Sequence, residues 1–456
     1  MPAKNQWIYQ GRWQQPVISG CLWANWYYNK KINLKIKGSM LILDGHCFEL
    51  KSDIGLLKKF LKSNINNYDF LDNIDSWFLA AHRQAIEMNR KSLDHINSLQ
   101  NLKLIFKLIL PPWELCHILD QLLLNFLYQE CVKDNIDINK LLVLIKPIRP
   151  TITIDEKNQA DKIYKKIDSL KLSSLSAQSI KNKSAFIYNT IKNHVNKYKF
   201  LGVHHFIGQP YTIVDFLKNY SNKKTAVNSK PINKNTKLPT NYNWFIKLGS
   251  ILSWGRLCLA ETAAIIEFNY RKKLQQINKS LNLKPDQYLW LSLDELISAI
   301  KNKKPISNKE ILARRQCYGV IPQKNRIKII TGKKVDSLLK KLLNQQPKRK
   351  TILTGIPVSP GKVIAPACLM SELNDVKKFK PNQIIIAPEL PLEFLNIIKQ
   401  SSGVVTEFGG LTSHIFTLAR EFNLPSLVKV AHATKIIKDG DLVELDADKG
   451  VVRKIK

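Results

Sequence analysis

The chain has 456 residues, 44% of them hydrophobic, enough to fill the cores of two or three domains. Its formal charge is +35, but residues 351–456 hold 13 Lys/Arg against 11 Asp/Glu, so nearly all the excess lies earlier, as single lysines among Asn and Ile. A Lys/Asn/Ile composition bias accounts for that spread, and with no arginine-rich arm, zinc finger or aromatic-glycine RNA signature, charge alone supports a nucleic-acid-binding reading.

Residues 1–50 read as a β-rich lead-in. Aromatics cluster in WIYQGRW and CLWANWYY, and INLKIKGSMLILDG (32–45) has two apolar runs around Gly38 that predict a hairpin. Residues 1–19 lack the continuous apolar core of a signal peptide. The most apolar stretches, LKLIFKLILPPW (102–113) and LLVLIKPI (141–148), are broken by Lys or Pro and too short for the ~20 residues that a bilayer requires. A soluble, cytoplasmic protein without membrane contact is expected. The seven cysteines are scattered with no CxxC pair, which fits a reducing compartment. His46-Cys47, Cys116-His117 and His204-His205 are adjacent pairs, which rarely give one ion two ligands, so no metal site is predicted.

From about 53 to 340 helical periodicity dominates. In 254–277, Leu257, Ala260, Ala264 and Phe268 make an apolar stripe, with Glu267 and Arg271 as an i,i+4 pair outside it. Capping boxes at Thr153/Glu156, Ser292/Glu295 and Ser307/Glu310 mark three helix starts. The lysine-rich 221–241 segment, with two prolines, reads as a flexible loop or lid, and NQQPKRKT (344–351) as part of an interdomain linker. After 351 short β-branched runs punctuated by Pro and Gly predict a compact α/β domain, with helices near 391–399 and 413–422. The fold class expected is therefore multidomain, α plus α/β: a mainly helical domain over 1–343, a linker over 344–352 and an α/β domain over 353–456.

The segment GGLTSHIFTLARE (409–421) follows a strand and opens a helix. Thr412 stands at the N-cap position, Gly409 and Gly410 permit a close approach, and His414 falls in the first turn. The positive end of a helix dipole disfavours imidazolium, so His414 is expected to be a neutral nucleophile beside amides that welcome an anion. On spacing alone it is either a structural histidine or a phosphoryl carrier.

Three segments in order resemble the phosphohistidine, or swivelling, domain of the phosphoenolpyruvate-utilising enzymes. Residues 409–425 are similar to the motif G-G-x-T-[SC]-H-x-A-x-x-A-R-E-x-x-[IL]-P through Gly409, Gly410, Thr412, Ser413, His414, Ala419, Arg420, Glu421 and Pro425. GIPVSPGKVIAPA (355–367) and DGDLVELDADKGVVRKI (439–455) look like its opening and closing segments. Three positions depart from the pattern: Phe416 replaces a small residue, Asn423 a glycine, and Lys429-Val430 the usual Val-Gly. The resemblance implies that His414 carries a phosphoryl group, that Gly409, Gly410, Thr412 and Ser413 position it, and that Arg420 and Glu421 support the site. More loosely, 287–320 resembles the helical acceptor-binding domain of rifampicin-phosphotransferase-like and synthase-like proteins. Its Leu291, Leu293 and Leu296 are expected to be core, and Arg314 and Arg315 a solvated face.

Neither a Gly-rich phosphate loop followed by Lys nor the paired carboxylates of a magnesium site is recognisable, and the chain ends soon after His414, with no room for a phosphoenolpyruvate barrel. The expectation is a phosphotransferase component that binds no cofactor itself. A separate ATP-grasp protein with ATP and Mg2+ would load it, and the helical domain would bind a small-molecule acceptor. The alternatives are a non-catalytic or degenerate interaction module and, on charge alone, a nucleic-acid-binding protein.

Overall fold

The computed structural model describes residues 6–12, 15–24, 40–91, 94–142, 144–172, 176–225, 240–303, 306–323, 326–343, 352–370, 373–390, 395–398, 400–410, 419 and 423–455. Three long helices, Tyr68–Asn89, His95–Lys133 and Asn243–Ser280, pack pairwise and carry the N-terminal part. The stretch 102–113 lies inside the second of them, which runs through the buried Pro111 and Pro112. Each proline leaves a carbonyl one turn earlier without its amide partner, yet buried Leu, Ile and Phe side chains on both sides of the pair hold the helix in the core. No helix among the described residues is long and apolar enough to cross a membrane.

The three axes meet at Gly255. A Cβ there would lie 2.3 Å from Phe78 Cδ2 and 2.9 Å from Cys116 Sγ, so the crossing closes only on a bare backbone. The buried face of Asn243–Ser280 is offset from the expected stripe. Trp254, Cys258, Thr262, Ile266 and Tyr270 are buried, whereas Leu257, Ala260 and Phe268 are only partly so. Glu267 and Arg271 do not pair. Glu267 turns inward to accept the backbone amides of His205 and Phe206, burial pushing its carboxyl up to about 8. Arg271 donates to Gly208 O at 2.7 Å. Both hold the small Val203–Gly208 hairpin rather than each other.

A satellite cluster of four helices, Ile152–Ser169, Ala177–Lys183, Ala185–Tyr198 and Ile213–Thr225, has its own apolar core. The predicted cap at Thr153 falls inside the first of these. Thr151 is the actual N-cap, the carboxylate of Glu261 takes the amides of Ile152 and Thr153 at 2.9 and 2.7 Å, and Glu156 binds His194. An acid supplied by the neighbouring helix thus displaces a local box. Ser292 and Glu295 do form their box, and Ser307 caps its helix. The first five residues of the 221–241 segment extend the last satellite helix to Thr225; 226–239 lie outside the described residues.

The N-terminal strands belong to one antiparallel sheet with strands far along the chain. Its order is Trp7–Arg12, His46–Leu50, Met40–Leu43, Tyr318–Gln323, Arg326–Thr331. A hairpin turns at Asp44-Gly45, both at positive φ; the turn expected around Gly38 lies outside the described residues. Leu291, Leu293 and Leu296 are core as expected. Arg314 is not a solvated group: it is 5% exposed and its guanidinium grips Glu295 at 2.8 and 2.9 Å.

The C-terminal part is built on a mixed eight-stranded sheet. Lys362–Leu369, Ile384–Ala387, Gly403–Thr406 and Ser426–Val428 run parallel, with antiparallel strands on both flanks. The two central strands, IIIA and GVVT, are buried at every position, as strands covered on both faces must be. Leu395–Ile398 is the described part of the predicted 391–399 helix; 413–418 and 420–422 lie outside the described residues, as do 344–351. Apolar residues of this part, including Ile385, Val404 and Val428, join the same core as the long helices.

Gly255→Val should destabilise the chain by about 1–3 kcal/mol through overpacking. Gly55→Ala, on an exposed helical site with nothing within 4 Å of an added Cβ, should stabilise it by about 0.5–1 kcal/mol. Urea unfolding of the two variants should move in opposite directions.

Candidate functional site

The segment that carries the predicted site leaves the carboxyl end of strand Gly403–Thr406, where α/β sheets present their ligand-binding loops. Its first residues are pinned by backbone bonds. Glu407 N donates to Ala387 O at 3.1 Å, Phe408 N to Pro388 O at 2.9 Å, and Val430 N to Thr406 O at 3.0 Å. The Glu407 carboxylate takes the amide and hydroxyl of Thr434 at 2.8 and 2.5 Å. Of the predicted site residues, Gly409 and Gly410 are described, while Thr412, Ser413, His414, Arg420 and Glu421 lie outside the described residues, as does Phe416.

Gly410 sits directly on the helical part. A Cβ built on it would be 2.0 Å from Asp120 Oδ2, on helix His95–Lys133. Asp120 is completely buried and faces Arg256 Nη1 at 3.4 Å. Beside it Lys429 donates from Nζ to Gln121 O at 2.7 Å, and desolvation lowers its amine to about 8 against the pull of Asp120. Phe408 meets Tyr9 of the first strand edge-on, ring centroids 5.2 Å apart. Lys435 adds a tie to Leu343 O at 2.6 Å. The Gly-Gly loop is thus closed onto the helices.

Around Arg256 lies a set of buried titratable groups that sequence reasoning did not single out. Glu114 and Glu49, from the long helix and the strand His46–Leu50, are hydrogen-bonded carboxyls, and burial pushes both well up. The charge of Glu49 raises Glu114 further; Asp53 does the same for Glu49, against the hydrogen bond from Glu114. Glu389, at the end of strand Ile384–Ala387, is raised by burial against the pull of Arg256. His117 is driven down to about 3 by burial and by Arg256, so its ring is neutral. Because burial favours the protonated glutamic acids, Arg256 and Lys429 face Asp120 with a local excess of positive charge. Among the described residues no group of three or more His, Cys, Asp or Glu could hold a metal ion. The signal for these groups was present in WELCHILDQLLL (113–124): two acids and a histidine in an otherwise apolar helical run.

Two departures from the family pattern acquire a local explanation. Asn423 has φ 49° and Lys429 φ 58°. Asparagine enters the left-handed region more readily than other residues with a Cβ, so it can stand where glycine is usual. Lysine at 429 has no such ease, and its amine is what reaches across to Gln121.

Residues 379–450 match the family described as PEP-utilising enzyme, mobile domain. That segment is a mobile domain of the PEP-utilising enzymes. The chain is similar to the prodigiosin synthesizing transferase PigC of Serratia marcescens, 35% identical over 102 residues, which are 22% of this chain and 12% of that protein. It is similar to the phosphoenolpyruvate synthase of Aeropyrum pernix, 31% over 107 residues, 23% of this chain and 13% of that one. A longer, weaker match, 20% over 152 residues, is to the uncharacterized phosphotransferase YvkC of Bacillus subtilis, covering 33% of this chain and 18% of that protein. The chain thus matches only a small part of the length of these relatives. The Gly409-Gly410 loop lies within that mobile-domain segment.

The buried acids make stability fall with rising pH. A carboxyl raised in the folded state stabilises it fully below the ordinary carboxylate range, and that contribution is lost as pH rises to about 8 for Glu49. Glu49→Gln should therefore shrink the drop in urea midpoint between pH 5 and pH 8, leaving the variant more stable than the natural chain at pH 8.

Proposed function

We propose that this chain is one component of a phosphotransferase, in which His414 of the mobile domain carries a phosphoryl group from a separate ATP-grasp protein to a small-molecule acceptor held by the helical part. In the first step a bond forms between an imidazole nitrogen and phosphorus as the donor's P–O bond breaks, ATP and Mg2+ being supplied on the partner. In the second, an acceptor oxygen bonds to phosphorus, the N–P bond breaks, and neutral imidazole is regenerated. The transferring group is highly charged and loosely bonded, so positioning and fixed positive charge do most of the catalysis.

The observation that carries this reading is the closure of the Gly409-Gly410 loop, four residues before His414, against Asp120 and Arg256 of the helices. Such a pose is the one expected at the acceptor side of the cycle. Arg256 and Lys429 bring cations to that face, and burial disfavours the charged form of the neighbouring glutamic acids that would oppose them. Thr412, Ser413 and the helix-start amides would hold the phosphoryl group; Arg420 and Glu421 would support the turn that presents it. The relatives named a transferase, a synthase and a phosphotransferase point to the same reaction class.

Incubation of the chain with a stand-alone ATP-grasp protein of the same genome and ATP labelled at the β or γ phosphorus should give acid-labile, base-stable label. His414→Ala should abolish it. Equal labelling of that variant would contradict the carrier role.

A further inference from the structure

The helical part encloses a cavity of about 900 Å3 that the phosphotransfer reading does not use. Five elements wall it: the helix Val17–Trp23 through Ile18 and Leu22, the long helix through Phe106 and Leu110, the start of Leu293–Asn302, the helix Asn308–Gln316 through Arg314, and the strand Arg326–Thr331 through Ile327 and Ile329. Leu110 is ten residues before Asp120 on the same helix, so at 1.5 Å per residue the two sites are about 15 Å apart. This is a second place in the molecule, with its own walls.

Its polar groups fall into two sets. Lys103 is bound to Asp294 at 2.6 Å, and Arg314 to Glu295 at 2.8 Å, so these charges neutralise one another and fix the wall. Lys107 and Lys328 also line the cavity, both are exposed, and neither has a counter-ion among the described residues. The floor is aliphatic and aromatic while the mouth carries net positive charge. Cys21, also on the wall, is no nucleophile, since burial pushes its thiol far above the ordinary range.

We propose that this cavity is a small-molecule site for an amphipathic anion. An apolar or aromatic body would lie over Phe106, Leu110 and Ile329, and a single carboxylate, sulfonate or phosphate would sit between Lys107 and Lys328. The volume is that of sites for drug-sized ligands, which are mostly apolar with a few placed polar groups. An anion between two lysines at a half-desolvated mouth gains more than it would in bulk water. The proposal rests on the cavity alone and stands whether or not His414 is phosphorylated.

Paired fluorescent probes test it: 1-anilinonaphthalene-8-sulfonate and its uncharged counterpart N-phenyl-1-naphthylamine, titrated into the full chain. The sulfonate should bind at one site and at least tenfold more tightly than the neutral dye. The surface double variant Lys107→Glu/Lys328→Glu should weaken the sulfonate at least tenfold and leave the neutral dye unchanged. Ile329→Trp, which fills the floor, should weaken both. Sulfonate affinity unaltered by the charge reversal, or dyes that bind alike, would overturn the proposal, as would full binding in Ile329→Trp.

Discussion

The arrangement depends on one contact: the bare backbone of Gly410 lying on the carboxylate of Asp120. A carboxylate with no exposure cannot stay in a helix core unless its charge is answered, and Arg256 from the crossing helix answers it. That pair fixes where the carboxylate points, and any side chain at 410 would occupy the same space. The glycine therefore has a second role beside the one expected of it, which was to let a phosphate donor approach. It lets the site loop of the mobile domain reach the helices at all.

The contact is set in a surface chemically unlike the rest of the core. Apolar residues of the mobile domain join the helical core, which favours the closed pose. Near Gly410, however, the seam holds Asp120, Arg256, Lys429, Glu389 and the Glu49–Glu114 pair. Burying such groups costs free energy that their mutual pairing only partly offsets. Polar seams of this sort resemble the interfaces of domains that part and rejoin, whereas a wholly apolar seam would stay shut. The proposed carrier, facing a donor and then an acceptor, would need that balance.

Much of the fold was legible in the sequence. The switch from helical to β-branched periodicity after 351 corresponds to the mixed sheet, and the Ser292/Glu295 box, a purely local device, forms as its spacing predicts. The structure differs from the sequence expectation where distant partners intervene. The cap at Thr153 lost to Thr151 because Glu261 of another helix supplies the anion. Arg314 is buried because Glu295 comes to it, and Glu267 turned inward because the hairpin at 203–208 offered two amides. The described hairpin turns at Asp44-Gly45, where the backbone has positive φ, and its first strand pairs with residues 319–320, far along the chain. Spacing alone leaves His414 structural or catalytic; its resemblance to the family motif is what favours a carrier. The surroundings are not legible in sequence, since Asp120, Arg256 and Glu49 come together only when helices and sheet are packed; Lys429 stands out only as a departure from the usual pattern.

The central claim is that Gly410 closes the mobile domain onto Asp120, and small-angle X-ray scattering of a two-residue cycle tests it most directly. Gly410→Ala should force the domains apart and increase the radius of gyration, and adding Asp120→Ala, which removes the opposing carboxylate, should restore the compact value. A Gly410→Ala chain as compact as the natural one would contradict the account. So would an expansion that Asp120→Ala does nothing to reverse.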